Sequence, residues 1–273
     1  MANPSSIETV ARETFAFFAT GNQTEPISSS WPGFDLPEAY EVAALIADLR
    51  RARGETTVGR KIGFTNRAVW QGYGISGPIW AYMFDTTVHE LAQVGWTFSL
   101  NGLPEPRIEP EIVLHLASKP ESGMSEEELV ECVDWVAHAF EIVFSIFPGW
   151  NFSAADAAAA FGVHAALLLG DRHRIDGHPE HRLRVLSDLA VDLIGGHGIR
   201  VHGQGSNVLG GPVKALQFLV SELARFPKCE PVGAGELVTT GTLTQAMSVR
   251  PGEQWSTILA NTDLAGLRLT LSD

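Results

Sequence analysis

The chain has 273 residues, 45% of them hydrophobic, and its 19 basic and 32 acidic side chains give a net charge of −13. This fits one large domain, or a small one attached to a larger, around a full apolar core. The negative balance argues against nucleic acid and anionic membranes as partners, but not against an anionic substrate, because a bound cation reverses the local field.

Two cysteines, Cys132 and Cys229, make neither a disulfide framework nor a zinc motif and point to a reducing compartment. Met1 to Phe18 carries Glu8, Arg12 and Glu13 and lacks a basic-then-apolar signal pattern. The small-apolar stretch Ala154 to Leu169 contains Asp156 and His164 and is too short to span a bilayer. A cytoplasmic protein is expected.

Ser5-x-x-Glu8 reads as a capping box opening a helix to about Ala19, and Gly21 to Pro32 as a turn-rich connector. Asp35, with Glu38 three residues on, caps a second helix that stops near Gly54 and ends in Arg50, Arg51 and Arg53, a cationic end favoured by the macrodipole. Val58 to Asn66 predicts a strand with Lys61, Gly63 and Thr65 on one face. A lysine beside a small residue and a hydroxyl suits a concave site, but alone Lys61 reads more readily as a surface lysine. Trp70 to Trp80 reads as an aromatic loop, lining a cavity or simply packed, and Thr97 to Gly102 as a short strand and turn.

Arg107 to Leu116 is a strongly apolar strand that begins with Glu109 and Glu111. Alternation puts both carboxylates on one face, with Cα atoms roughly 7 Å apart. A bare Glu-x-Glu is ordinarily a solvated strand start. A third carboxylate changes that reading: Glu141 is the sole charge in the β-branched and aromatic run Ala139 to Phe147. A lone glutamate inside such a strand is costly unless it is paired or ligates a metal. Three oxygen ligands suit a hard dication, Mg²⁺ or Mn²⁺, rather than zinc.

Between these strands Ser125 caps a helix with Leu129, Val133 and Val136 at helical spacing. Further on, Ser153 caps a short helix to Ala160, and Val163 to Leu169 predicts a buried strand. Leu183 to Val185 and Val191 to Leu193 read as strands, and Gly195 to Gly198 and Gly203 to Gly205 as turns. Pro212 starts a helix. Leu237 to Thr242, Trp255 to Leu259 and Leu267 to Leu271 are strand-like. Helices first, then many short strands with a few helices, make an α+β pattern.

Other signals are discounted. The glycines from Gly203 to Gly211 do not fit the dinucleotide fingerprint. His173, His178 and His181, with Asp171 and Asp176, sit in a loop-like polar stretch and read as surface. His115 and His138 read as structural, and His164 as a satisfied core histidine.

Several segments together resemble a family. Gly59 to Asn66, Ile108-Glu109-Pro110-Glu111, Phe140-Glu141, Val208 to Pro212 and Gly235 to Thr242 are similar, in order over roughly residues 26 to 270, to the 2-keto-4-pentenoate hydratase and 4-oxalocrotonate decarboxylase branch of the fumarylacetoacetate hydrolase superfamily. The resemblance implies a mixed β-roll or sandwich catalytic domain over 58–273, a small helical N-terminal region over 1–57, and homo-oligomers. It implies Mg²⁺ or Mn²⁺ on Glu109, Glu111 and Glu141, and an active-site lysine at Lys61. Hydratases of the branch commonly carry Pro-Asp-x-Gly; here the stretch is Pro78-Ile79-Trp80-Ala81, and Ile79 leans towards the decarboxylases.

The implied activity is that of a lyase, a hydratase or decarboxylase of a 2-oxo-enoate or dienoate from aromatic catabolism, working through a metal-stabilised enolate. Lys61 would shuttle protons or bind the substrate carboxylate. Thr65, Thr242 and Trp80 are the candidate substrate contacts, and Asp156 fits the pocket or a helix cap equally. The alternatives are a C–C hydrolase of an acylpyruvate, against which the lack of an early His-x-x-Glu counts, and a non-catalytic keto-acid binder.

Overall fold

Three helices lead the chain, each with a legible start. The computed structural model describes residues 6–67, 70–73, 75 and 77–273. Helix α1 (Ile7–Thr20) is capped by Ser6, whose hydroxyl accepts from the Thr9 amide. The expected cap at Ser5 lies outside the described residues. The connector holds a single helical turn, α2 (Ile27–Ser30). In α3 (Leu36–Ala52), Asp35 and Glu38 form the reciprocal capping box, and Arg50 and Arg51 close the helix.

Strand β1 (Thr57–Gly63) follows, then a turn of helix, α4 (Trp70–Tyr73), and β2 (Ile79–Phe84). The stretch expected to be an aromatic loop thus ends in a fully buried strand; its Gly74 and Ser76 lie outside the described residues. Strands β3 (Val88–Glu90), β4 (Thr97–Ser99) and the long β5 (Arg107–Leu116) come next. Helix α5 (Glu126–Glu131) is shorter than its periodicity suggested. Val133 and Val136 belong instead to β6 (Val133–Val143), because pairing along the whole of β5 overrides local helical spacing.

Helix α6 (Ala154–Ala159) has the Ser153–Asp156 capping box and runs into β7 (His164–His173). Leu183 to Val185 is helical, not extended: α7 (Pro179–Asp188) begins on Pro179, and Arg182 and Leu186, one turn apart, form its buried side. Strands β8 (Ala190–Ile194) and β9 (Arg200–Gln204) take Gly203 into a sheet rather than a turn. Helix α8 (Pro212–Arg225), β10 (Leu237–Thr242), β11 (Met247–Ser248), β12 (Gln254–Ala260) and β13 (Arg268–Ser272) complete the chain.

The strands form two mixed sheets. The larger runs β2-β1-β10-β5-β6-β7-β3, with β11 on the outer part of β5; the smaller runs β4-β13-β12-β8-β9. Ile108, Phe140, Ile142 and Leu168 from the first pack on Leu193, Trp255, Leu269 and Leu271 from the second, the interior of a sandwich. The helices cover the larger sheet through a second core that joins Val10, Tyr40 and Ile46 to Trp80, Ile112 and Leu216. This is the expected α+β fold of a mixed β-roll or sandwich. No helix among the described residues is long and apolar enough to cross a membrane.

Register fixes the site. In the antiparallel β5–β6 pair, Glu109 stands directly opposite Glu141, so alternation places Glu109, Glu111 and Glu141 on one face. Val113, Ala137, Ala139, Leu167 and Leu169 share that face. Two strands away, parallel pairing of β1 with β10 brings in Lys61.

Candidate metal centre and active-site cleft

The three carboxylates converge. Each offers an oxygen within 4.8 Å of the other two, with Glu111 and Glu141 buried and Glu109 partly exposed. Like charges directly opposite on a sheet repel, and burial raises the cost of every ionised carboxylate. Two positive or polar partners meet Glu141: Lys61 Nζ lies 3.0 Å from Oε2, and His164 Nδ1 lies 2.6 Å from Oε1. Glu111 is held by backbone, with the Gly241 amide donating to Oε2 at 3.0 Å.

That amide is available because β10 slips register against β5 between Thr239 and Thr242. Gly241 takes φ +99°, and a Cβ there would lie 1.9 Å from Thr65 Oγ1, so the position accepts only glycine. A similar constraint sits behind Lys61. Gly162, at φ +57°, would put a Cβ 3.4 Å from Lys61 Cδ and 3.2 Å from the Ala81 methyl.

The charges are strongly coupled. Desolvation pushes the Glu109 carboxyl up to about 7, with Lys61 opposing and Glu141 adding to the rise. Glu111 rises well above its ordinary range through burial and then repulsion from Glu141. Glu141 falls to about 2: burial works against its ionisation, but Lys61 and the His164 hydrogen bond outweigh it. Burial pulls the Lys61 ammonium down, yet the three carboxylates outweigh it and the net shift is upward. One carboxylate is therefore balanced by Lys61, and the other two hold excess negative charge only at a cost.

A cation would relieve that cost. Glu111 Oε1 and Glu141 Oε2 are buried and accept no hydrogen bond among the described residues; Lys61 faces the latter as an ion pair without hydrogen-bond alignment. In both glutamates one oxygen is pinned by a protein donor and the other points into the cluster. An all-oxygen donor set with open positions fits a hard dication.

Above the cluster opens a cleft of about 240 Å³ lined by Lys61, Thr65, Ile79, Arg107, Trp150 and Thr242, among others. Strand β1 ends at Gly63 and Phe64 follows at φ +58°, so Thr65 arrives from a loop rather than in strand alternation. The Thr65 and Thr242 hydroxyls are buried without partners among the described residues and face this cleft. Arg107 stacks 3.9 Å over the Trp150 ring, whose Nε1–H donates to the Glu105 carbonyl. A larger open groove of about 750 Å³, lined by Trp96, Trp255 and Arg268, lies on the smaller sheet, away from the carboxylates.

One expectation needs correction. Trp80 is not in the cleft. Strand β2 alternates, so Ile79 faces the cleft and Trp80 points the other way, buried and stacked on Tyr40 at 4.5 Å. Of the two readings open for Asp156, the structure shows the helix cap: it closes the cap on Ser153 and accepts from the Ser28 amide and hydroxyl, tying α2 to α6.

Of the histidines, His138 sits between the Glu111 carbonyl and Thr257, and burial pushes it down to about 4. His164 is buried and satisfied, but by Glu141, so it belongs to the site. The sequence signal for Arg107 was present, since it shares the Glu109 and Glu111 alternation. For His164 it was a lone polar group in an apolar run, with nothing to name its partner.

No family model matches the chain. A 4-oxalocrotonate decarboxylase from a Pseudomonas species is 30% identical over 217 residues, 79% of each chain. A 2-keto-4-pentenoate hydratase from Paraburkholderia xenovorans is 28% identical over 258 residues, 92% of this chain and 90% of the relative. Among solved structures, 4-oxalocrotonate decarboxylase from Pseudomonas putida G7, complexed with magnesium and adipate, overlaps with a TM-score of 0.86 over 99% of both chains at 20% identity. The fold recurs with lower overlap in fumarylacetoacetate hydrolase family proteins.

Proposed function

The chain belongs to the 2-keto-4-pentenoate hydratase and 4-oxalocrotonate decarboxylase branch of the fumarylacetoacetate hydrolase superfamily, and on that premise we propose that it is a divalent-metal-dependent lyase acting on a 2-keto acid. The observation that carries the proposal is the cluster of Glu109, Glu111 and Glu141, with open oxygens beside Lys61 at the base of a cleft. These three residues would hold Mg²⁺ or Mn²⁺, which when bound would supply Lewis-acid stabilisation of the negative charge developing on the 2-oxo oxygen.

The chain's own groups divide the rest of the work. Lys61, nearly fully buried, holds a proton at Nζ within reach of the cleft and passes it to or takes it from the carbon chain. The unpartnered Thr65 and Thr242 hydroxyls donate to substrate oxygens. Arg107, braced on Trp150, gives the cleft a cation suited to a second carboxylate. Ile79 and Val163 give it an apolar wall without a proton-handling group.

An apolar wall with a cation favours loss of CO₂ from a 2-oxo-enedioate over addition of water to a dienoate. Hydration is the second reading, favoured by the similarity to hydratases over most of the chain.

The test is a Mg²⁺- or Mn²⁺-dependent assay of 2-oxo-3-hexenedioate and 2-hydroxypenta-2,4-dienoate side by side. CO₂ release from the first is expected. Loss of dienoate absorbance without CO₂ would make the protein a hydratase. If neither reacts and hydrogen–deuterium exchange at C3 of a 2-keto acid is not accelerated, the enzymatic reading fails in favour of a keto-acid binder.

A further inference from the structure

The geometry points to His164 as a positioning residue for the metal centre, pinning one oxygen of Glu141 so that the other is presented to Glu109 and Glu111. This rests on the reading that the three glutamates hold a dication.

His164 opens β7, where its register partner is Val143 at the end of β6. Its ring is buried, and both nitrogens are engaged. Nδ1 lies 2.6 Å from Glu141 Oε1, and Nε2 lies 3.1 Å from Thr87 Oγ1. A carboxylate accepts only, so the Nδ1 contact places a proton on that nitrogen. The far end is braced by a tight turn. The Thr87 amide donates to the Phe84 carbonyl at 2.9 Å, and the Thr87 carbonyl accepts from the Leu167 amide at 2.8 Å. The imidazole is thus clamped between a turn that precedes β3 and the central carboxylate of the site.

The effect on Glu141 follows. With Oε1 held by the imidazole, rotation of the carboxylate is blocked, and Oε2 is left facing Lys61 and the other two glutamates. Glu111 shows the same device built from backbone, with Gly241 holding Oε2 and Oε1 left open. Glu141, near the end of β6, is paired with Glu109 on one side and Leu167 on the other, and there a side chain rather than an amide holds the oxygen. Partners of this kind fix ligand orientation, and their loss typically weakens metal affinity by about 10–100-fold.

The experiment is a Mn²⁺ titration, read as loss of the free-ion paramagnetic resonance signal, on the wild-type protein and on His164→Phe, His164→Gln and His164→Asn. The asparagine amide nitrogen falls near the position of Nδ1, whereas the glutamine amide reaches past it. Phe and Gln are expected to weaken Mn²⁺ binding by about 10–100-fold, and Asn to recover most of that loss. Thermal unfolding of each metal-free variant separates folding from binding; if Phe does not fold, the Asn and Gln pair decides. A purely structural histidine would lower stability in all three variants and leave Mn²⁺ affinity unchanged, which would overturn the proposal. A wild-type protein that takes up no Mn²⁺ would instead remove the metal-centre reading on which it stands.

Discussion

Two regions of this chain are rich in metal-ligating residue types, and only one of the two brings ligand atoms from three residues together. Asp171, His173, Asp176, His178 and His181 crowd the end of β7 and the start of α7. There the side chains are exposed or half-buried, and no three of them bring ligand atoms together. Glu109, Glu111 and Glu141 are fewer and farther apart in sequence, but strand register puts them on one buried face. Water solvates separated exposed charges at little cost, whereas an apolar wall leaves buried ones in need of a counter-charge. Convergence under burial, rather than the number of candidate ligands, distinguishes the centre from the surface segment.

The largest expected effect breaks the comparison directly. Glu141→Gln should weaken Mn²⁺ binding beyond the roughly 100-fold seen when supporting residues are lost. The triple replacement of His173, His178 and His181 by alanine should leave affinity within about twofold, since exposed sites of this kind contribute little. Calorimetric titration of both proteins checks the pair, and comparable losses would erase the distinction.

Backbone supplies the next contrast. Gly241→Ala would drive a Cβ into Thr65 at φ +99° and disturb the amide that holds Glu111. A loss of about 3 kcal/mol in denaturant unfolding is expected. Gly177→Ala, at φ +103°, meets only the exposed His181 ring, which can swing away, so about 1 kcal/mol is expected.

A further contrast is in pH. As a ligand, Glu109 would bind the cation as a carboxylate, and in the metal-free protein desolvation raises its pKa to about 7. A bound proton competes with the cation, so apparent Mn²⁺ affinity should fall by about tenfold per pH unit below that value and flatten above it as far as Glu109 is concerned. An affinity independent of pH between 5 and 8, to order of magnitude, would contradict a ligand role for Glu109 with its carboxyl raised in the metal-free protein.

Much of the site was legible because it obeys strand alternation. The Glu109 and Glu111 spacing, the lone charge of Glu141 and the Lys61 strand can all be read from neighbouring residues. What could not be read depends on contacts between distant segments. The chemistry of Trp80 suits a cleft, but the phase of β2 is set by Tyr40 on α3, 40 positions earlier, so Ile79 faces inward. His164 looked like a core histidine because its partner, 23 residues away, is defined only once β6 and β7 pair. The α5–β6 boundary failed for the same reason: helical spacing at Val133 and Val136 gave way to an eleven-residue strand paired on both sides.

The most direct test of the central claim is anomalous diffraction from crystals of the wild-type protein grown with Mn²⁺. One strong peak is expected, bounded by carboxylate oxygens of Glu109, Glu111 and Glu141, below the cleft that Lys61 lines. A peak confined to the 171–181 segment, or none between the three glutamates at saturating Mn²⁺, would contradict it.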